Sequence, residues 1–311
     1  MDRNLALEFV RVTEAAAIAA SKWLGRGDKN SADQAAVTAM RDRLNALDIS
    51  GTIVIGEGDK DEAPMLFIGE KVGKGGVEVD IAVDPLECTT NCANGRPDSM
   101  AVLAAGPRGS LLHAPGTYMD QMSVDSRAKG KVSFEKPFEE NVRTLAQSIR
   151  KNLGDVVVAI LDRDRNKDYV ERARKLGCRI RLFEHGSIGM AIASALLDSG
   201  IDMMIGSAGA PEAVISAAGV RALGGDMQAI LKPHKEEYAE QARKMGITDF
   251  NHIFTLDELA KEGTFFVATG ISDGPALRGV VITPHNIITH SLFMRSVSGT
   301  VRFMETHHKI M

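Results

Sequence analysis

The sequence predicts an α/β fold in two closely packed subdomains, and three observations lead there. The chain has 311 residues, where about 100–200 residues make a typical domain. Its second half alternates short β-branched runs with helical stretches, the pattern of a Rossmann-like layer. Glycine occurs 30 times against an aromatic share of 5%, which without low complexity points to many tight strand-to-helix turns. No internal repeat and no Pro/Ser linker interrupts the chain. The expected division is therefore into adjoining subdomains 1–150 and 151–311.

Each element follows from its spacing. Leu5, Phe9, Val12, Ala16, Ala20 and Trp23 recur at intervals of three and four, the mark of an amphipathic helix, ending at Gly25-Arg-Gly27. A second helix is predicted over 31–47, with Ser31 as N-cap and Val37, Met40, Leu44 and Leu47 on its buried face. The runs 52–55 and 79–83 read as strands, the first stopped by Gly56-Glu-Gly58 and the second by Asp84-Pro85. Residues 99–105 and 110–114 read as a hairpin across 106–109. Helices at 138–151, 168–176 and 188–197 alternate with strands at 156–161, 179–183 and 203–205. The charged run 232–244 has the spacing of a solvated helix face.

Composition excludes several functional classes. A hydrophobic share of 44% and a charged share of 25% suit a chain with a real core, not a disordered one. Lys plus Arg number 37 against 41 Asp plus Glu, a net charge of −4 with no dense basic run; a nucleic-acid binder needs the opposite balance. Apolar stretches such as 156–161 are far shorter than the ~20 residues of a bilayer span, so no membrane partner is expected. The opening Met1-Asp-Arg-Asn leads into a helix carrying Glu8, Arg11 and Glu14, without an apolar signal core, and the cytoplasm is the expected compartment. Cys88, Cys92 and Cys178 are too few for a disulfide framework and match no CxxC pattern. They read as reduced, buried thiols, with a redox or nucleophilic role open for Cys88 and Cys92 if a helix N-terminus lowers their pKa. His307 and His308 read as solvated or interface residues.

The chemistry lies in acids placed where acids are costly. Ile53-Val-Ile-Gly-Glu57-Gly58 puts a carboxylate between glycines at a strand end. Ala82-Val-Asp84-Pro-Leu-Glu87-Cys-Thr89-Thr90 puts two acids three residues apart and follows them with hydroxyls. Ile205-Gly-Ser-Ala-Gly-Ala-Pro211-Glu212 repeats the arrangement after a third strand. The C-terminal ends of strands in open α/β sheets are ligand sites, and clustered oxygen ligands suit a hard divalent cation such as Mg²⁺ or Mn²⁺. With phosphate nearby, that is the equipment of metal-assisted hydrolysis.

These residues carry a resemblance. Asp84-Pro-Leu-Glu87-x-Thr89 resembles the Asp-Pro-(Leu/Ile)-(Asp/Glu)-Gly-(Thr/Ser) signature of the lithium-sensitive, Mg²⁺-dependent sugar and inositol phosphatases. Further stretches, Trp23-Leu-Gly-Arg-Gly-Asp-Lys29, Ala32-Asp33-Gln-Ala-Ala36, Gly51-Thr-Ile-Val-Ile-Gly-Glu57-Gly58, Asp61-Glu-Ala-Pro-Met65, Gly209-Ala-Pro-Glu212 and Ala268-Thr-Gly-Ile271, occur in the order of the bacterial class II fructose-1,6-bisphosphatases. The similarity runs nearly end to end.

The resemblance implies a layered α-β-α-β-α sandwich, a homodimer or homotetramer, and hydrolysis of the 1-phosphate of fructose 1,6-bisphosphate in gluconeogenesis. It places the metal ligands on Asp33, Glu57, Asp84, Glu87 and Glu212. The threonine that positions or activates the attacking water, or itself attacks, falls on Thr89, and Lys29 brings positive charge to the scissile phosphate. Tyr118 matches a substrate-contacting tyrosine and Arg165 a basic residue at the distal phosphate. The implied substrate set also takes in Glu87, Cys88, Thr89, Thr90, Arg163, His185, Gly186, Ser187 and Gly209. On this reading 1–150 is the metal-binding and catalytic subdomain, and 151–311 binds the sugar phosphate and contributes Glu212.

Departures from the family pattern concentrate away from the metal ligands. The signature glycine is Cys88, which costs energy if the position needs a positive φ. The family's Asp-Gly-Asp substrate loop aligns with His185-Gly-Ser187, so two sugar-binding carboxylates are missing. The stretch usually ending Arg-His reads Arg163-Asp-Arg165-Asn166, and the outer glycines around Pro-Glu are Ala208 and Ala213. Three readings stay open: a fructose-1,6-bisphosphatase, a phosphatase of another sugar phosphate such as sedoheptulose 1,7-bisphosphate, or a weakly active regulatory paralogue.

Overall fold

The computed structural model of the chain describes residues 5–58 and 64–310. Residues 1–4, and 61–63 of the motif Asp61-Glu-Ala-Pro-Met65, lie outside the described residues. Contacts divide the chain into unit 1, Met1–Leu111 with Glu262–Met311, and unit 2, Leu112–Lys261. The two expected consecutive subdomains, 1–150 and 151–311, are thus not where the contacts divide; unit 2 is inserted into unit 1.

Unit 1 begins with α1 (Leu5–Ser21) and α2 (Lys29–Asn45), then β1 (Ile49–Ile55), β2 (Lys71–Val72), β3 (Val77–Glu87), the short α3 (Thr89–Ala93) and β4 (Met100–Pro107). In unit 2 follow β5 (Tyr118–Val124), α4 (Phe138–Ile149), β6 (Val157–Leu161), α5 (Lys167–Lys175), β7 (Arg179–Phe183), α6 (Ile188–Ala195), β8 (Met203–Gly209), α7 (Ala210–Ala222), β9 (Asp226–Lys232), α8 (Glu236–Lys244), β10 (Ile253–Phe254) and α9 (Leu256–Leu259). The chain returns to unit 1 for β11 (Phe265–Gly270), β12 (Val281–Ile282), β13 (Asn286–Arg295) and β14 (Thr300–Lys309). The fold is mixed α/β with two sheets, and among the described residues no helix is long and apolar enough to cross a membrane.

The sheet of unit 1 has eight strands, ordered β12-β13-β11-β4-β3-β1-β2 with β14 on β13. Only β1 and β3 run parallel in it. Phe9, Val12, Ala16 and Ala20 of α1 pack with Met40 and Leu44 of α2 over Ile53, Ile81, Leu103 and Phe265 of the sheet. Unit 2 has six strands, ordered β10-β9-β5-β8-β6-β7, over a separate core that includes Phe138, Val142, Leu145, Val158, Ile160 and Met203.

Four local expectations change. The N-cap of α2 is Asp28, which accepts from Ser31 N at 3.0 Å and Ser31 Oγ at 2.6 Å; Ser31 serves the cap from inside the helix, which starts at Lys29. β3 continues past Asp84-Pro85 to Glu87, because a register shift between Asp84 and Glu87 spares the ladder the N–H that proline lacks. Residues 110–114 form no partner strand; β4 instead lies between β3 and β11, a central place that suits a run buried on both faces. The strands β12 to β14 have no counterpart in the sequence reading.

Candidate active site

The acids of unit 1 are brought together by strand register and by one turn. β1 and β3 run parallel with Ile53 opposite Ile81 and Ile55 opposite Ala82, so Glu57 and Asp84 each stand two residues beyond the same paired position. Glu57 leaves the strand through Gly56, where a Cβ would fall 2.0 Å from the Leu66 carbonyl oxygen; only glycine permits that approach. The turn joining α1 to α2 is tied to α3 through Gly25 N to Cys92 O at 2.9 Å and Gly27 N to Ala93 O at 2.8 Å. The start of α2 is thereby held beside the segment that follows the Asp84 signature. Lys29 is exposed at that start, and Asp33 is half-buried between the fully buried Ala32 and Ala36.

Electrostatics single out one pair. Glu57 is pushed up to about 7 by burial and then by the charge of Asp33, and burial also raises Asp33. Among the described residues neither carboxylate has a hydrogen-bond or ion-pair partner of its own. Two desolvated carboxylates that feel one another's charge, with no counter-ion among the described residues, form the donor set a hard dication fits. The other acids differ: Asp84 Oδ1 accepts from Leu86 N at 3.0 Å, and Glu87 is 4% exposed. Among the described residues no three His, Cys, Asp or Glu side chains stand as a preformed metal cluster.

The turn after Glu87 answers the question raised by the missing glycine. Cys88 adopts φ 65° and ψ 46°, the left-handed region, so the position does require what glycine gives most easily. Its carbonyl accepts from Asn91 N at 2.9 Å, Cys92 N at 3.1 Å and Ser99 Oγ at 3.2 Å. Thr89, the first residue of α3, donates its hydroxyl to the Leu86 carbonyl at 3.0 Å, and Thr90 beside it is half-buried. Burial pushes the Cys92 thiol up to about 11, the reverse of the activation a helix N-terminus would give. All three cysteines are buried, and none is in a disulfide among the described residues.

Unit 2 holds a second group. Tyr118 opens β5, opposite Gly209 of β8, and the Arg165 guanidinium lies 4.1 Å from its ring centroid. Arg165 Nε donates to the Ser207 carbonyl at 3.0 Å. Arg163 reaches the other expected residue, His185, at 3.2 Å from Nη2 to Nδ1. Gly186 is partly exposed, whereas Ser187 is 2% exposed and its hydroxyl has no partner among the described residues. Glu212 stands in the first turn of α7, folded back over Gly209, where a Cβ would come 1.9 Å from its Oε2. Two residues escaped the sequence reading. His234 stacks on Tyr118 at 4.6 Å, and the half-buried Asp120 is raised by burial against the lowering effect of Lys232. The available signal was Pro233-His234 at a strand end with Tyr238 four residues on.

A cavity of about 440 Å³ in unit 1, walled by Leu7, Val10, Phe265, Phe293, Arg295 and Arg302 among others, contains none of these residues. Among the described residues its wall carries no acid, so it offers no ligand for the metal chemistry.

Comparison with known proteins bears on the whole chain. The family model for bacterial fructose-1,6-bisphosphatase, glpX-encoded, matches residues 3–308. A D-fructose 1,6-bisphosphatase class 2/sedoheptulose 1,7-bisphosphatase of Synechococcus sp. (strain JA-3-3Ab) is 42% identical, covering 99% of this chain and 96% of its own. The protein of the same description from Thermosynechococcus vestitus is 41% identical with the same coverage. Among solved structures, an inositol monophosphatase-fructose 1,6-bisphosphatase is 13% identical at a TM-score of 0.37, covering 64% of this chain and 75% of that one. The match over 3–308 and the two relatives, joined to the acids and turns above, place the chain in the bacterial, glpX-encoded fructose-1,6-bisphosphatase family.

Proposed function

We propose that the chain hydrolyses the 1-phosphate of fructose 1,6-bisphosphate to give fructose 6-phosphate and phosphate, as a Mg²⁺- or Mn²⁺-dependent enzyme of gluconeogenesis in the cytoplasm. The observation that carries this reading is the Asp33–Glu57 pair, two half-buried carboxylates that feel one another's charge and have no counter-charge among the described residues. Asp33, Glu57, Asp84 and Glu87 would hold the cation, and the family resemblance adds Glu212. When bound it offsets charge on the phosphoryl oxygens and lowers the pKa of a coordinated water.

The remaining work falls to the chain. Thr89 has its hydroxyl proton engaged by the Leu86 carbonyl, so its lone pairs face outward to accept from, and thereby orient, the attacking water. Lys29 offers a cation at the exposed start of α2, and the amides of Cys88, Thr89 and Thr90 would meet the developing charge. In unit 2, Tyr118, Arg163, Arg165, His185, Gly186, Ser187 and Gly209 would receive the sugar and its far phosphate.

A second substrate, sedoheptulose 1,7-bisphosphate, is favoured by one observation: the Arg163–His185 contact stands where the family pattern has sugar-binding acids. Association of identical chains has a natural seat on β14, which among the described residues pairs with β13 alone over ten residues and exposes Phe303; a dimer or tetramer by light scattering is expected. The deciding experiment is phosphate release across a panel of sugar mono- and bisphosphates with Mg²⁺, Mn²⁺ or EDTA. Turnover of fructose 1,6-bisphosphate that EDTA abolishes is expected. Metal-dependent binding without turnover would replace this reading by the regulatory one.

A further inference from the structure

We infer that His234 is a positioning residue of the substrate site, acting through Tyr118 to aim the Arg165 guanidinium at the far phosphate of a sugar bisphosphate. The inference rests on the proposed role of Tyr118 and Arg165 at the substrate and adds a residue that neither the motifs nor the family signature contain.

Strand register brings the segment carrying His234 to Tyr118. Tyr118 of β5 sits opposite Lys232, the last residue of β9, so the segment leaving β9 through Pro233 passes beside the tyrosine. There the imidazole stacks on the Tyr118 ring with centroids 4.6 Å apart and planes at 29°. Tyr238 lies 4.8 Å away as a second aromatic wall. His234 is solvent-exposed, yet it is not a loose surface group. Buried Thr117 takes hold of it twice, at 3.0 Å from Nδ1 and at 3.3 Å from the backbone N.

Tyr118 passes this constraint on. The guanidinium carbon of Arg165 lies 4.1 Å from the tyrosine centroid, and Nε is pinned to the Ser207 carbonyl. Among the described residues, Arg165 makes no hydrogen bond through Nη1 or Nη2, the two nitrogens that could grip a phosphate as a fork. Asp120, the nearby acid, is contacted by Lys232 at 3.8 Å and feels the Arg165 charge only at longer range, so both terminal nitrogens of Arg165 stay open to an incoming anion among the described residues. Stacking fixes a side chain that otherwise loses much freedom on binding, so the ordering cost is met before the substrate arrives. The result is a stack of guanidinium, phenol, imidazole and phenol, with Lys235 over the last ring at 5.6 Å, suited to a dianionic group.

The test is steady-state kinetics with Mg²⁺ on fructose 1,6-bisphosphate, or on sedoheptulose 1,7-bisphosphate if that is turned over faster, beside p-nitrophenyl phosphate, which has no second phosphate. His234→Ala should raise KM for the bisphosphate about 3- to 10-fold, the scale of one aromatic stacking contact. The kcat, and kcat/KM for p-nitrophenyl phosphate, should stay within about twofold. His234→Phe, which keeps a stacking ring, should restore KM to within about twofold. An unchanged KM in His234→Ala, an equal loss on both substrates, or no rescue by phenylalanine would each overturn the inference. Arg165→Ala separates it from its premise. If that variant leaves the bisphosphate KM unchanged, the role of Arg165 at the substrate fails first; if it raises KM and His234→Ala does not, only the positioning role fails. Should His234→Ala lose its fold by circular dichroism, Tyr238→Leu removes the second wall and is read by the same KM ratio.

Discussion

A side chain in the left-handed region raises the energy of a turn by about 1–2 kcal/mol, and Cys88 sits there at φ 65°. Comparing Cys88→Gly with Cys88→Ala isolates that term, since both lose the thiol. The glycine variant should be the more stable by about 1 kcal/mol in urea unfolding, against the usual preference for alanine; a more stable alanine variant would refute the assigned backbone. Glu57 gives a pH prediction. A glutamate titrates near 4.5 when unfolded, and Glu57 is pushed up to about 7 in the fold. The native state therefore binds more protons between those values, and the metal-free protein loses stability as pH rises through that window. Cation binding needs the ionised form, so Mn²⁺ should bind about tenfold more tightly at about pH 8 than at about pH 6. In Glu57→Gln, calorimetry should find that slope gone and phosphate release should cease; a preserved slope would assign the titration elsewhere. Glu57 stood out because a carboxylate between two glycines at a strand end is a costly placement, whereas Asp33, inside α2, came only with the family resemblance. His234 was not legible, because its partner Thr117 lies 117 positions away and meets it only once β5 and β9 pair.

Elements with a strong period were readable and those defined by their neighbours were not. α1 was legible from the spacing of Phe9, Val12, Ala16 and Ala20, all fully buried. The α2 start slipped because Asp28 and Ser31 are both good caps and only the dihedrals decide between them. β4 reads as half of a hairpin when its neighbours in the chain are considered, but Met100–Ala105 is buried throughout because β3 flanks one side and β11, from far along the chain, the other. β14 alternates between partly and fully exposed positions and carries no core signal at all. The central place of β4 has an energetic consequence at Leu103, which is fully buried and faces Val83 and Val267 across the ladder. Leu103→Ala should cost about 2–5 kcal/mol and Leu103→Met less than about 1.5 kcal/mol in urea unfolding. Near-equal costs would mean that the site collapses freely, contrary to a close-packed central strand.

At the scale of the whole molecule, the chain enters unit 2 at Leu112 and leaves it at Lys261, and both sides of that insertion are closed. Leu112 N donates to the Leu259 carbonyl at 3.0 Å, so the two ends of unit 2 meet. On the other side, Ala105 of β4 pairs directly with Phe265 of β11, so unit 1 needs only a short connection to make β4 and β11 a hairpin. Each unit also has its own core, and unit 2 is of ordinary domain size. Length and alternation suggested a second layer but could not show that the first unit resumes after it, since the closing strands β11 and β13 earn their place by pairing. Residues 112–261 expressed alone, and a chain in which they are replaced by a short Gly/Ser loop, should each unfold in one cooperative transition by circular dichroism. The shortened chain keeps Asp33, Glu57, Asp84 and Glu87 but lacks Glu212. It should still bind Mn²⁺ with the rise in affinity through about pH 7 set by Glu57. If either piece stays unfolded, the units are one cooperative body; if the shortened chain folds but ignores Mn²⁺, the Asp33–Glu57 pair does not form a cation site by itself.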